Sequence, residues 1–339
     1  MKGRMIALDH YRGQEAAALI EDGLLQDFLI ASDKPAIGTI YRAVPRRLLK
    51  GQGGAFLDTP DGPAFLRQTK GIATGKPLLV QVTGYSEAGK AIPVSTRLMI
   101  KSRYAIATPG APGMNLSRNV RDDEERVRIM DAAPATRPDN LGLILRSACE
   151  GADDADIHED AQQILQCADA LQHETGGDIE TLLDGDGPHL LAWREWSTGA
   201  DHDPDAGSFE RHDLLDRIEG LHAPRHDLAS GAYLLIEHTS ALVAVDVNTG
   251  QDASLAAGLR ANIATARDLP RALRLRGLGG QITLDLAPMP KKERRGFESA
   301  LKAGLRRDTE DTVLAGWTPL GHFELQRHRG RVPLHEVFA

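Results

Sequence analysis

The 339-residue chain reads as an α+β multidomain protein, with a small strand-rich barrel in its first third and an α/β unit in its last third. Three observations predict this. The length exceeds one typical domain, so two or three packed units are expected. Between Ile37 and Tyr104, short strand-like pieces are broken at close intervals by Gly, Pro, Asp and Lys, the punctuation of a small barrel. Finally, two apolar strands, within GAYLLIEHTSALVAVDVNTG from Gly231 and GLGGQITLDL from Gly277, flank a stretch with helical periodicity.

In chain order, residues 1–31 read as strand, turn, strand, with IALD and FLIAS as the apolar runs. GTIYRAV, GAFLDT, PAFLR, KPLLVQVTGY and STRLMIKSRYAIAT supply the barrel strands. Phe56 and Phe65 lie on adjacent pieces joined by the turn around DTPDGP, either as barrel core or as exposed rings on which single-stranded bases stack. A loop after Pro109 enters a short helix, and NLGLILRSACEGA reads as a strand ending at Arg146 and Ser147. Ile157, Ala161, Ile164, Ala168 and Leu171 give helical spacing from Ile157 to Leu183. Residues 197–207 are the clearest linker, followed by a short helix from Phe209 to Leu221. Leu255, Leu259, Ile263, Ala266, Leu269 and Leu273 form an apolar helical stripe beside a basic one of Arg260, Arg267, Arg271 and Arg274, with a kink or restart expected at Pro270. A last helix spans Lys291 to Arg307, with Phe297, Leu301 and Leu305 four apart.

The strand from Val243 to Asn248 alternates strictly, so Asp246 and Asn248 share the face opposite Val243, Val245 and Val247. Asp285 likewise leaves the apolar face made by Ile282, Leu284 and Leu286. If the two strands are neighbours, both carboxylates reach one ion, and hard oxygen donors suit Mg2+. The competing reading is that each Asp caps the loop that follows it.

The net charge of -8 argues against indiscriminate nucleic-acid binding, but the charges are segregated. Residues 150–216 hold nineteen Asp and Glu against two Arg, whereas residues 260–307 hold twelve Lys and Arg against four acids. The basic block adjoins the carboxylate strands in sequence, where it would either attract a polyanion or remain a solvated surface. Cys149 and Cys167 lack the spacing of a zinc site and are expected to be buried thiols. No apolar run approaches membrane-spanning length, so a soluble, cytoplasmic protein with no membrane partner is expected.

Taken together, GAYLLIEHTSALVAVDVNTG, RALRLRGLGGQITLDLAPM and LGHFELQRHRGR resemble the catalytic core of the ribonuclease E/G family. The likeness is strong over the last third, weaker over the first half, and nearly absent between Gly151 and Leu228. It implies N-terminal strands at 1–36 packing on the core and an OB-type RNA-binding barrel at 37–104. It further implies a 5′-end-sensing region at 105–175, an acidic connecting region at 176–228 with a shortened RNase H-like part, and a DNase I-like α/β catalytic subdomain at 229–339. By that resemblance Asp246 and Asp285 would ligate Mg2+ with Asn248 orienting a carboxylate or water, and single-stranded RNA would be cut to 5′-phosphate and 3′-hydroxyl ends. Phe56 and Phe65 would stack RNA bases, Arg260, Arg267 and Arg271 would hold phosphates, and Arg146 with Ser147 would sense a 5′-phosphate.

The chain departs from the family in lacking its zinc-sharing Cys pair, so no zinc-linked dimer is expected, although another homo-oligomer remains compatible. The linker between the two carboxylates is a few residues short, and Pro288 stands where relatives commonly carry a further acid. An RNA-binding protein that no longer cleaves and a phosphoesterase acting on small molecules are the alternative functions.

Overall fold

The computed structural model describes residues 3–49, 51, 53–174, 176–228 and 231–338; the boundary expected at 229 lies outside them. The chain divides into two units, residues 1–33 with 199–339 and residues 34–198.

The first unit opens with an antiparallel meander of β1 (Arg4–Tyr11), β2 (Gln14–Glu21) and β3 (Leu24–Ile30). Sequence reading finds two of these strands and misses β2. Its Ala16 to Ile20 run is buried throughout, so it lacks the alternation that a one-sided strand displays.

In the second unit, β4 (Ile40–Leu49), β5 (Gly54–Thr59), β6 (Gly62–Leu66), β7 (Leu78–Val82) and β8 (Ile92–Ser95) run in the order β4-β5-β6-β8-β7. Pairing of β4 with β7 closes them into a five-stranded, OB-like barrel. Tyr41, Ala55, Leu57, Ala64, Leu66 and Val80 fill it. A second sheet comprises β9 (Ile100–Lys101), β10 (Ala105–Pro109), β11 (Gly113–Leu116) and β12 (Leu141–Leu145). It is packed by α1 (Asp123–Ala132) and α2 (Asp154–Gln172), whose Ile129, Ile157, Ala161 and Leu165 enter its core. The helix expected to reach Leu183 stops at Gln172. Residues Glu180–Leu183 instead form β13, which pairs with β4, and α3 (Pro188–Trp196) follows.

Back in the first unit, the expected linker at 197–207 contains a short strand, β14 (Asp201–Asp203), which pairs in parallel with the edge of β1. The single helix expected at 209–221 is two, α4 (Ser208–Arg211) and α5 (Leu215–Glu219). Then come β15 (Arg225–Asp227), β16 (Tyr233–His238), β17 (Val243–Asn248), α6 (Leu255–Leu275), β18 (Gly280–Asp285), α7 (Arg294–Leu305), β19 (Thr312–Trp317), β20 (Phe323–Arg327) and α8 (Leu334–Val337). The sheet order is β15-β16-β17-β18-β20-β19, and only β17 and β18 run parallel, joined by the α6 crossover. Helices α6 and α7 cover one face of this sheet, with Val243, Val245, Val247, Ile282 and Leu284 against Leu269, Leu273, Phe297 and Leu301.

Helix α6 differs from its sequence reading in two ways. In its first half the buried face is made of small residues, Ala257, Gly258, Ala261, Thr265 and Ala266, while Leu255 is 62% exposed; in its second half Leu269 and Leu273 are buried as expected. Over these first turns small side chains let neighbouring elements approach, so size rather than hydrophobicity sets which side packs. The helix also runs unbroken through Pro270. The Ala266 carbonyl, deprived of its usual donor, faces Gly304 of α7, where a Cβ would lie 2.7 Å from that oxygen. Packing on this surface offsets the roughly 3 kcal/mol that an interior proline costs.

Buried charges tie the ends of this unit together. Asp308, its side chain fully buried, pairs with Arg327 and, at 2.5 Å, with Arg274. Arg274 also donates to the Gln26 carbonyl at 2.8 Å, and Arg331 meets Asp27 at 3.0 Å. One partner cannot be removed cheaply, because the others stay charged and dry. Asp308→Ala should therefore destabilise the protein by about 3–5 kcal/mol in urea titration, whereas Val313→Ala, at a 66% exposed position, should change stability little.

Asp268 accepts from His226 at 2.6 Å and is bridged by Arg271 at 2.7 and 2.8 Å. Burial alone would raise its carboxyl pKa, but the His226 and Arg271 hydrogen bonds outweigh it and hold it well below the usual carboxylate range. A depressed folded-state pKa gives stability that is complete above the unfolded value and lost as pH falls below it. Unfolding titrations of the wild type and Asp268→Asn should thus differ most above about pH 4 and converge at more acidic pH.

Candidate active site

The parallel register of β17 and β18 sets Asp246 directly beside Asp285, with Val245 opposite Leu284 one step back. Because side chains alternate and the valine face is covered by α6 and α7, both carboxylates stand on the open face of the sheet. Strand spacing of about 5 Å brings them within reach of one cation. Leu235 of β16 completes the row on the far side of Asp246. Asn248, two residues on and so on the same face, donates Nδ2 to Asp246 Oδ2 at 2.9 Å, which fixes the carboxylate's orientation.

The side chain of Asp285 is 68% exposed, and His322 Nε2 lies 3.8 Å from its Oδ1. A turn positions His322: Thr318 N–H donates to its carbonyl at 2.8 Å, and its own N–H donates to Thr318 Oγ1 at 3.1 Å. Sequence reading did not single out His322, although it lies within LGHFELQRHRGR at the start of β20. Behind the carboxylates, Asn262 of α6 exchanges hydrogen bonds of 2.8 and 3.0 Å with the Ala287 backbone. That locks the segment carrying Pro288.

The donor set fits Mg2+, which binds through one or two carboxylates and retains several waters; the exposure of both acids leaves room for them. Among the described residues no cluster of three or more His, Cys, Asp or Glu is arranged as a complete protein cage. When bound, such an ion supplies an activated water and offsets charge on phosphate oxygens. The protein's share is to hold Asp246 and Asp285 side by side and to orient Asp246 through Asn248.

The basic residues of α6 lie on a helix packed against the opposite face of the sheet from the carboxylates. Arg260 is exposed and pairs with Asp252 at 3.1 Å, and Arg267 is exposed. Arg271 is committed within the fold, bridging Asp268 and donating to the Leu25 carbonyl of β3 at 3.0 Å. Of the basic block expected beside the acids, Arg294 of α7 reaches Gly321, next to His322, whereas Arg271 is turned toward β3.

On the barrel, Phe56 of β5 and Phe65 of β6 are cross-strand partners, with ring centroids 5.2 Å apart. They do not belong to the core, which Ala55, Leu57, Ala64 and Leu66 fill from the alternate positions. Arg47 of β4 and Pro93 of β8 continue their row across four strands. Gly54 permits the arrangement, since a Cβ there would lie 2.3 Å from the Phe65 ring.

Arg146, at the end of β12, donates to the Ser102 and Arg103 carbonyls at 2.7 and 3.1 Å and pairs with Glu195 of α3. Glu195 is held in turn by Arg194 at 2.8 Å. Burial would raise the Glu195 carboxyl, but Arg146 and Arg194 bring it below its ordinary value. Ser147 beside this cluster is exposed. Cys149 is buried and Cys167 partly buried, and burial pushes the Cys149 thiol up to about 11. No helix among the described residues is long and apolar enough to cross a membrane.

Comparison with known proteins identifies the family. The family model described as "Ribonuclease E/G family" matches residues 99–192 and 197–330. The chain is 26% identical to a ribonuclease E of Nostoc sp. (strain PCC 7120) across 96% of its own length and 56% of that protein. It is 27% identical to a ribonuclease G of Salmonella typhimurium and 26% identical to one of Escherichia coli K12, in each case over 95% of this chain and 79% of the relative. It therefore spans little more than half of the Nostoc protein. The chain belongs to the ribonuclease E/G family.

Proposed function

We propose that the chain is a magnesium-dependent endoribonuclease that cuts single-stranded RNA to leave 5′-phosphate and 3′-hydroxyl ends. The observation that carries this is the register of the parallel pair, which seats Asp246 beside Asp285. In this reading residues 229–339 are the DNase I-like catalytic subdomain. Asp246 and Asp285 would hold the ion on the open face of the sheet, Asn248 would keep Asp246 in place, and the ion would supply an activated water.

The barrel supplies a binding platform. Phe56 and Phe65 offer flat apolar surface for bases, while Arg47 at the end of their row offers a cation for the backbone. Arg260 and Arg267 add exposed positive charge on α6. At the end of β12, a terminal RNA phosphate would replace the Glu195 carboxylate on Arg146, with the Ser147 hydroxyl as a further donor. Family membership supports a role as a nuclease in RNA processing or decay.

One observation favours a second reading, an RNA-binding protein without efficient cleavage. The segment after β18 is fixed by Asn262 and carries Pro288, so it brings no third carboxylate to the ion.

The two readings diverge in a cleavage assay with a 5′-monophosphorylated single-stranded oligonucleotide and Mg2+. As a nuclease, the wild type makes internal cuts, Asp246→Ala and Asp285→Ala lose at least about 10²-fold in rate, and Asn248→Ala loses about 10–100-fold. All three should retain RNA binding, because the acids are exposed and carry no fold contact of their own strand's core. Phe56→Ala should instead weaken binding by about 1–3 kcal/mol, as loss of one stacked base does. Equal RNA binding with no cutting by any form, wild type included, would favour the second reading.

A further inference from the structure

A cleft of about 240 Å³ lies in the first unit, at the end of the sheet away from Asp246 and Asp285. Its walls include His238, which ends β16 opposite Val243 at the start of β17, whereas the two acids lie at the far ends of their strands. The cleft is therefore no part of the candidate metal centre. Around it stand His222, His238, His335 and Arg276, with Ile236 and Leu278 as apolar wall. The rings of His238 and His335 stack with centroids 3.5 Å apart.

Arg276 is the unusual member. It is 5% exposed, yet among the described residues no carboxylate pairs with it. Its Nη2 donates to the Ala223 and Arg225 carbonyls at 3.3 and 3.1 Å, and its Nη1 to the Ala272 carbonyl at 3.2 Å with the His226 ring 3.4 Å away. Its Nε has no partner. Every other strongly buried arginine at this end of the chain is neutralised: Arg327 by Asp308 and Arg331 by Asp27. Burial, aided by the Arg271 charge, pushes the Arg276 pKa down to about 10 while Asp268 opposes this, which expresses the cost of holding a cation there without a counter-ion.

We infer that this cleft is an anion site, and that its ligand is inorganic phosphate or the phosphate group of a small ester. A buried guanidinium whose Nε–H is left unpartnered, with three imidazoles around the same cleft, offers several donors to the oxygens of a tetrahedral anion. Size sets the limit on the ligand: the space falls below the roughly 300–1,000 Å³ of sites for larger small molecules. Two acids stand close by, Glu237 in the lining and Glu336 at 3.8 Å from the His335 ring, so an anion is held from the Arg276 wall.

The test is a phosphate titration of the full chain, following the imidazole NMR signals of the histidines, against chloride at matched ionic strength. Saturable shifts of His222, His238 and His335 with phosphate alone are expected. Arg276→Gln should weaken binding at least about tenfold, as loss of a charged hydrogen-bond donor does. Since Arg276→Gln can also disturb the fold, a second variant, His238→Phe combined with His335→Phe, keeps two stacked rings while removing their N–H groups, and should also weaken binding. Non-saturating shifts, shifts reproduced by chloride, or undiminished affinity in the double-Phe variant would overturn the assignment. Acetate binding as tightly as phosphate would overturn the choice of phosphate.

Discussion

Parallel pairing of β17 with β18 is the constraint on which the candidate site depends. Two strands running the same way cannot be joined by a hairpin, so the chain must leave the sheet and return through a crossover, here helix α6. The crossover covers one face and leaves the other open. Because side chains alternate, the same step that buries three valines of β17 exposes Asp246 and Asn248, and the register brings Asp285 alongside. A slip of one residue in this pairing would turn one acid toward the core.

The packing around the crossover protects that register. Helix α6 presents alanine and glycine to its neighbours, lets α7 approach at Gly304, and is pinned to β3 by Arg271 and Arg274 through the Leu25 and Gln26 carbonyls. Asn262 then clasps the backbone just beyond β18. Much of the positive charge on this helix thus serves to hold the strands in place, with Arg260 and Arg267 left at the surface. Charge read along a sequence reports its sign but not its direction, and direction depends on contacts made by residues more than two hundred positions away.

The sequence exposes structure wherever one physical rule acts alone. Strands β17 and β18 were legible because each has one covered face, so their alternation is clean; the barrel was legible from its close punctuation. Strand β2 was hidden because both its faces are covered. Strand β13 was hidden because four residues paired to a barrel edge carry no periodicity of their own. The α6 stripe was right at Ala266, Leu269 and Leu273, which are buried, and misread in the first half, where Leu255, Leu259 and Ile263 outrank alanine in hydrophobicity while tight packing selects for size. At the site, the carboxylates could be found from pattern, whereas His322 is placed by a turn and the Phe56–Phe65 pair is turned outward by barrel closure, which no local pattern specifies.

The most direct measurement of the central claim is the anomalous diffraction of crystals containing Mn2+ in place of Mg2+. A single peak about 2.1 Å from oxygens of both Asp246 and Asp285, with Asn248 bonded to the Asp246 carboxylate, is the predicted result. Bound manganese that contacts neither acid, or only one while the other points elsewhere, would contradict it.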